Sequence, residues 1–289
     1  MKSIIIGWSL SPSKKQLTFL LCVFCFTTLF SGLLQVIQNI GGFRIEDQYL
    51  ADSKNSLGSM LASSIFALLF MQREKSGLKK AILIGCAVLG FVLIVTIRAR
   101  SSLLAVIFLL FYYEYFVTRN GRVFFYFFVS ILFVGLVSVA FPSFVDFVVS
   151  SINAGTQGVD ITSGRWVTYQ EALSFLSNNM WLGDVKNTTD IGWIHNFVLL
   201  NIYDYGLVFS WPIITYYLIL ITRSVAFSFR EHSFSFFQLG FVIVLVPYVA
   251  SLLEPTFPFG PGTVNVFNFV LLGIAEFSFV YSKENKSAL

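Results

Sequence analysis

The 289-residue chain is 56% hydrophobic, 18% aromatic and only 12% charged, with a mean hydropathy of +0.78. A water-soluble domain carries roughly a quarter charged residues, so that class is excluded, and three scattered cysteines exclude a disulfide scaffold. A net charge of +4 dispersed over this length gives no basis for nucleic-acid binding and leaves an integral membrane protein, in which the position of each charge matters more than the sum.

A spanning helix needs about 20 mostly apolar residues. Runs of this kind bounded by charge fall, in chain order, at 17–40, 56–71, 81–97, 101–117, 123–145, 206–222, 233–253 and 264–281. The expected fold is therefore all-α: one polytopic membrane domain over residues 1–289 with about eight transmembrane helices. The shorter runs cross if the bilayer thins or flanking side chains snorkel. The first run is too long for the apolar core of a signal peptide and is read as a retained helix.

Orientation follows from the basic residues. With the N-terminus inside, six of the 19 basic residues (Arg44, Lys54, Arg98, Arg100, Arg165 and Lys186) fall outside and the rest inside, as the positive-inside rule requires. Both termini then face the cytoplasm. The inner loops are short and basic, whereas the outer stretch 146–194 is long and rich in Ser, Asn, Gly and Asp, so function is expected on the outer side. Within that loop Trp166, Tyr169, Leu173 and Leu176 recur at helical spacing, which predicts an amphipathic helix from Arg165 lying on the membrane surface.

Few residues carry chemistry. Cys22 and Cys25 form a CxxC inside an apolar span with no second ligand pair, which reads as buried inert thiols, and Cys86 reads the same way. Glu114 and Glu276 lie near the inner ends of spans, where a snorkelling carboxylate and a proton relay are both open. Arg98 and Arg100 occupy a tight outer turn against the positive-inside bias, which points to recognition of an anion such as a phosphate or to anchoring in lipid headgroups. Arg165, after Ser163-Gly164, stands near a helix N-terminus, itself an anion-attracting position, though a solvated surface arginine fits the same pattern. His195 sits where the outer loop re-enters the membrane and can exchange a proton near neutral pH, while His232 lies in an inner basic loop. No outer cluster has the spacing of metal ligands, so no metal and no cofactor is expected.

In chain order, Arg98-Ala99-Arg100-Ser101-Ser102, then Ser163-Gly164-Arg165 with Leu182-Gly183, then His195-Asn196 followed by Asp204 and Gly206, the sequence resembles the O-antigen ligase and O-antigen polymerase family of bacterial membrane glycosyltransferases. Ala99 stands where the family has serine, and relatives carry further N-terminal helices. The resemblance implies transfer of a glycan from an undecaprenyl diphosphate carrier at the periplasmic face of the inner membrane. The acceptor is the lipid A core for a ligase or another lipid-linked repeat unit for a polymerase, with ligase favoured. It implies Arg100 and Arg165 as catalytic arginines holding the diphosphate, His195 as general base or acceptor anchor, and Arg98 and Asn196 in substrate binding. A helical reading of 195–206 keeps Asp204 half a turn away from His195, gives Asp204 a structural role and returns Gly206 to the face of His195. A transporter or flippase of lipid-linked sugars is the alternative from another class, and it should show ionisable groups deep in several spans.

Overall fold

A computed structural model describes residues 2–38, 54–97, 99–112, 114–115, 165–184, 191, 194–230, 236–252, 254 and 265–287. Among these residues the fold is all-helical and contains no strand. In chain order the helices are α1 (Lys2–Ser9), α2 (Lys14–Gln38), α3 (Lys54–Met71), α4 (Gly77–Thr96), α5 (Arg100–Tyr112), α6 (Arg165–Asn179), α7 (Phe197–Arg230), α8 (Leu239–Ile243), α9 (Leu245–Ser251) and α10 (Val266–Ser287). Four segments are long and apolar enough to cross a membrane: Lys14–Gln38, Asn55–Glu74, Gly77–Thr96 and Phe197–Phe227. Arg100–Tyr112, Phe236–Ser251 and Val266–Val280 are apolar but shorter, and the expected span 123–145 lies outside the described residues.

The start of α2 is set locally. Ser13 and Gln16 satisfy one another's backbone N–H groups, at 2.8 Å for the Ser13 amide and 3.3 Å for the Gln16 amide, a reciprocal cap at the first turn. The apolar face turned away from its neighbours carries Phe19, Phe26 and Phe30, all exposed, as suits a helix whose solvent is lipid.

Helix α3 is the centre of the bundle and packs against α2, α4, α5, α8 and α9. Its run of Gly58, Ser59, Ala62, Ser63 and Ser64 lets neighbouring backbones come close, the usual basis of helix association where lipid supplies no hydrophobic drive. A Cβ at Gly58 would meet the Ala99 Cβ at 2.5 Å and the Ser102 Oγ at 2.6 Å, so α5 is seated on this glycine. Asn268 of α10 donates to the Ser63 Oγ at 2.9 Å from a site almost fully buried.

The long α7 is not one rod. Gly206 has φ 65° and ψ 175°, and two contacts show that the chain folds back there. Ser210 donates to the Asn201 carbonyl at 2.5 Å, and the rings of Phe197 and Tyr217 stack with centroids 6.2 Å apart. Residues 20 positions apart in a straight helix would be about 30 Å apart. A short arm, 197–205, therefore lies along a long arm, 207–230, and the second arm alone is long enough to cross a bilayer.

The bundle has two distinguishable ends. One carries Lys14, Arg73, Glu74 and Glu114, with Phe70 beside Phe236. The other carries the turn before Arg100, the N-terminus of α7 and the C-terminus of α9.

Candidate functional site

At the second end, three chain segments far apart in sequence meet around one carboxylate. Asn196 caps α7: its Oδ1 accepts the Leu199 amide at 2.9 Å, three residues into the helix, and this is the position at which asparagine best satisfies an orphan donor. Its Nδ2 donates to the Leu252 carbonyl at 3.1 Å, which ties the start of α7 to the end of α9. Two residues beyond Leu252, Glu254 is 8% exposed. Its Oε1 lies 3.4 Å from the Arg165 Nη2, and its Oε2 lies 3.8 Å from the His195 Nδ1. The second distance is too long for a hydrogen bond, and among the described residues the buried Nδ1 has no hydrogen-bond partner.

His195 is held from the other side as well. The Tyr169 hydroxyl donates to the His195 carbonyl at 2.6 Å, and burial pushes the Tyr169 phenol above its ordinary value, so it stays protonated as a donor. Tyr169 belongs to the inward face of α6, where it and Ala172 pack with Ile194 and Tyr203 and where Leu176 is buried. The helix expected from Arg165 is present, and its stripe is divided: Tyr169 and Leu176 turn toward the protein, whereas Trp166 and Leu173 are 61% and 58% exposed. The small Ala172 lets α6 close on Tyr203, and the buried face forms around that alanine instead of around the large residues.

A second link fixes α6 to α7. Gly183, after the last turn of α6, and Gly206, at the apex of the α7 hairpin, both have positive φ, at 64° and 65°. They lie backbone to backbone: a Cβ on Gly183 would run into the Gly206 amide, and one on Gly206 would run into the Trp181 carbonyl. Asp184 donates its amide to the Tyr203 carbonyl at 2.7 Å, and Leu207 donates to Met180 at 2.9 Å. The amide freed by the break is thereby satisfied. Arg165 sits at one end of this clasped unit and His195 at the start of the hairpin it grips.

Beside Asn196 and Leu252 lies an open-sided apolar cavity of about 750 Å³. Phe108 and Tyr112 of α5, Ile202 and Leu218 of the two α7 arms, and Leu245 of α9 line its length. Of the residues around the carboxylate, Asn196 and Leu252 reach its wall.

The expected site residues are distributed as follows. Arg165 and His195 come together through Glu254, and Asn196 is a structural clamp at the same place. Arg100 opens α5 at the same end of the bundle, half-buried beside the buried Ser101 and Ser102. Arg98, Ser163 and His232 lie outside the described residues. Asp204 stands on the short arm, and Gly206, expected on the His195 face of one continuous helix, is the point at which that helix breaks. Glu114 pairs with Arg73 at 3.7 Å and Glu276 with Arg223 at 2.5 Å, so both acids have basic partners. Cys25 is buried as expected, whereas Cys22 is exposed and Cys86 is intermediate. Among the described residues no three His, Cys, Asp or Glu side chains stand together as a metal cage would require.

Glu254 is the residue that sequence reading missed. Its signal was present: it is the charged residue that ends the last long apolar run before a proline-rich stretch. No family model, no curated protein and no solved structure matches this chain.

Proposed function

We propose that this protein is a membrane glycosyltransferase of the O-antigen ligase and polymerase kind, acting at the Glu254 end of the bundle. In this reading the chain crosses the inner membrane about eight times, both termini are cytoplasmic, and the segment 146–194 is a periplasmic loop that carries α6. The donor is a glycan on undecaprenyl diphosphate. The acceptor is the lipid A core, with a lipid-linked repeat unit as the polymerase variant.

The observation that carries the reading is the meeting of Arg165 and His195 on Glu254 beside an apolar cavity. A polyprenyl chain suits the cavity, a diphosphate suits an arginine whose planar fork matches phosphate oxygens, and Arg100 adds a second guanidinium at the same end. The first turn of α7 points its amides and its positive dipole end toward the same place.

The chemistry needs little more. An acceptor hydroxyl oxygen attacks the anomeric carbon of the donor and forms the new glycosidic bond while its proton passes to the His195 Nε2. The bond from that carbon to the phosphate oxygen breaks, and its electron pair leaves with the diphosphate, whose charge the arginines hold. The proton then passes from the imidazolium to solvent.

A deletion strain tests the assignment. Polymer still on its carrier with no long glycan on the lipid A core marks a ligase, and single repeat units on the core mark a polymerase. An unchanged glycan profile in a strain that makes such a polymer contradicts the reading.

A further inference from the structure

One carboxylate faces two partners here and completes a bond of ordinary length with neither. The 3.4 Å from Glu254 Oε1 to the Arg165 guanidinium exceeds the usual charged N–H···O separation by about 0.6 Å. The 3.8 Å from Oε2 to the His195 Nδ1 exceeds it by about 1 Å. Glu254 is buried, its neighbour Asn196 is locked at both ends of its amide, and the His195 backbone is fixed by Tyr169. The frame is tied by hydrogen bonds of ordinary length, and the long contacts are those of the carboxylate.

We infer that Glu254 is a latch that exchanges partners when the diphosphate of the donor arrives. Before binding, its Oε1 neutralises Arg165. An incoming diphosphate carries more charge than the carboxylate and takes the guanidinium, which frees Glu254 to move toward His195 and accept the Nδ1–H through Oε2. That hydrogen bond fixes the tautomer with a free Nε2 lone pair and stabilises the imidazolium formed when the acceptor proton is taken. The consequence is ordered binding: His195 becomes an oriented base only after the donor is seated, so an acceptor arriving first finds no activated site. Glu254 is a positioning residue in this scheme, since it touches neither substrate. The inference rests on the glycosyl-transfer reading of the same site.

The test uses the full chain in lipid nanodiscs with inorganic pyrophosphate as the probe. Glu254→Asp keeps the charge but shortens the reach by one methylene, so it cannot hold Arg165. The latch predicts that Glu254→Asp and Glu254→Gln each bind pyrophosphate about two- to tenfold more tightly than wild type, since a competing ion pair has been removed. It also predicts that both lose transfer activity. If only Glu254→Gln binds more tightly, the effect is the general field of a negative charge and the latch is wrong. If both variants bind more weakly, Glu254 is a buttress for Arg165 and the latch is again wrong.

A second measurement needs no change at Glu254. The chain has only two histidines, so ¹⁵N-histidine spectra of wild type, assigned with a His232→Gln sample, read His195 directly. Pyrophosphate should bring up a strongly hydrogen-bonded Nδ1–H signal from His195. Spectra identical with and without bound pyrophosphate would overturn the latch while leaving the anion site intact. Pyrophosphate binding that is absent, or insensitive to Arg165→Ala, overturns the glycosyl-transfer reading itself and the latch with it.

Discussion

The two ends of the bundle handle charge in opposite ways. At the Lys14 end three acids pair with bases: Glu74 with Lys14 at 2.7 Å, Glu114 with Arg73 at 3.7 Å and, toward the same end, Glu276 with Arg223 at 2.5 Å. At the Asn196 end one carboxylate stands between a guanidinium, 3.4 Å away, and an imidazole, 3.8 Å away and beyond hydrogen-bond reach. The first group are pairs between helices, each joining an acid to a base. The buried His195 Nδ1 beside this carboxylate has no hydrogen-bond partner among the described residues, and an unsatisfied buried group in a native structure calls for an explanation such as a ligand. On the proposed function, the contrast separates charges that hold the fold from charges that meet a substrate.

The sharpest way to break this comparison is to exchange arginine for lysine at each end. Arg165→Lys keeps the charge but not the planar fork, and transfer should fall by about 10²-fold at unchanged protein level. Arg223→Lys, which is 57% exposed and pairs through a single nitrogen, should transfer glycan at a rate close to wild type. Equal losses at the two ends, measured as transfer rate per unit of folded protein, would remove the distinction.

Next in size is the glycine clasp. Gly206→Ala forces a Cβ into the Trp181 carbonyl at a positive φ, and a loss of about 1–3 kcal/mol in unfolding free energy is expected, together with reduced transfer, because the clasp sets Arg165 relative to His195. Gly85→Ala has nothing within 4 Å of the new Cβ and should leave both readings unchanged or raise stability by up to about 1 kcal/mol. Thermal unfolding of the two variants side by side checks the pair.

The smallest effect belongs to the exposed pair. Lys14→Ala removes an ion pair whose side chains are 55% and 38% exposed, and solvent screening limits the loss to at most about 1 kcal/mol. A drop in transfer activity in this variant would mean that the Lys14 end takes part in function.

Apolar length was legible in the sequence because lipid imposes it on each segment independently. Helices α2, α3 and α4 match the runs at 17–40, 56–71 and 81–97 closely. Arg165 at a helix start and His195-Asn196 before another were legible for a similar reason: both are local signals, written in the residues beside them. The α7 hairpin was not. Helical periodicity continues through Tyr205-Gly206-Leu207, and only the tertiary docking of Gly183 against Gly206 stabilises the break. A 34-residue apolar stretch, longer than one crossing needs, was the available hint. Glu254 was hidden for another reason. It reaches His195 from 59 positions downstream, through a packing of α9 on α7 that no local pattern encodes. The protein-facing side of α6 was not legible either, because the large apolar residues dominate its helical spacing, whereas its close approach to Ile194 and Tyr203 is made by the small Ala172.

The central claim is that His195 is the base of a glycosyl transfer at the Glu254 end. The most direct measurement is transfer by the purified full chain in proteoliposomes, with a polyprenyl-diphosphate-linked glycan as donor and a lipid-anchored hydroxyl acceptor. Wild type should form the elongated lipid-linked product and release polyprenyl diphosphate in equal amount. His195→Ala, inserted and folded to the same level, should lose at least about 10²-fold in rate. Transfer by His195→Ala at the wild-type rate would contradict the account, and so would a wild-type protein that moves the donor across the bilayer without forming product.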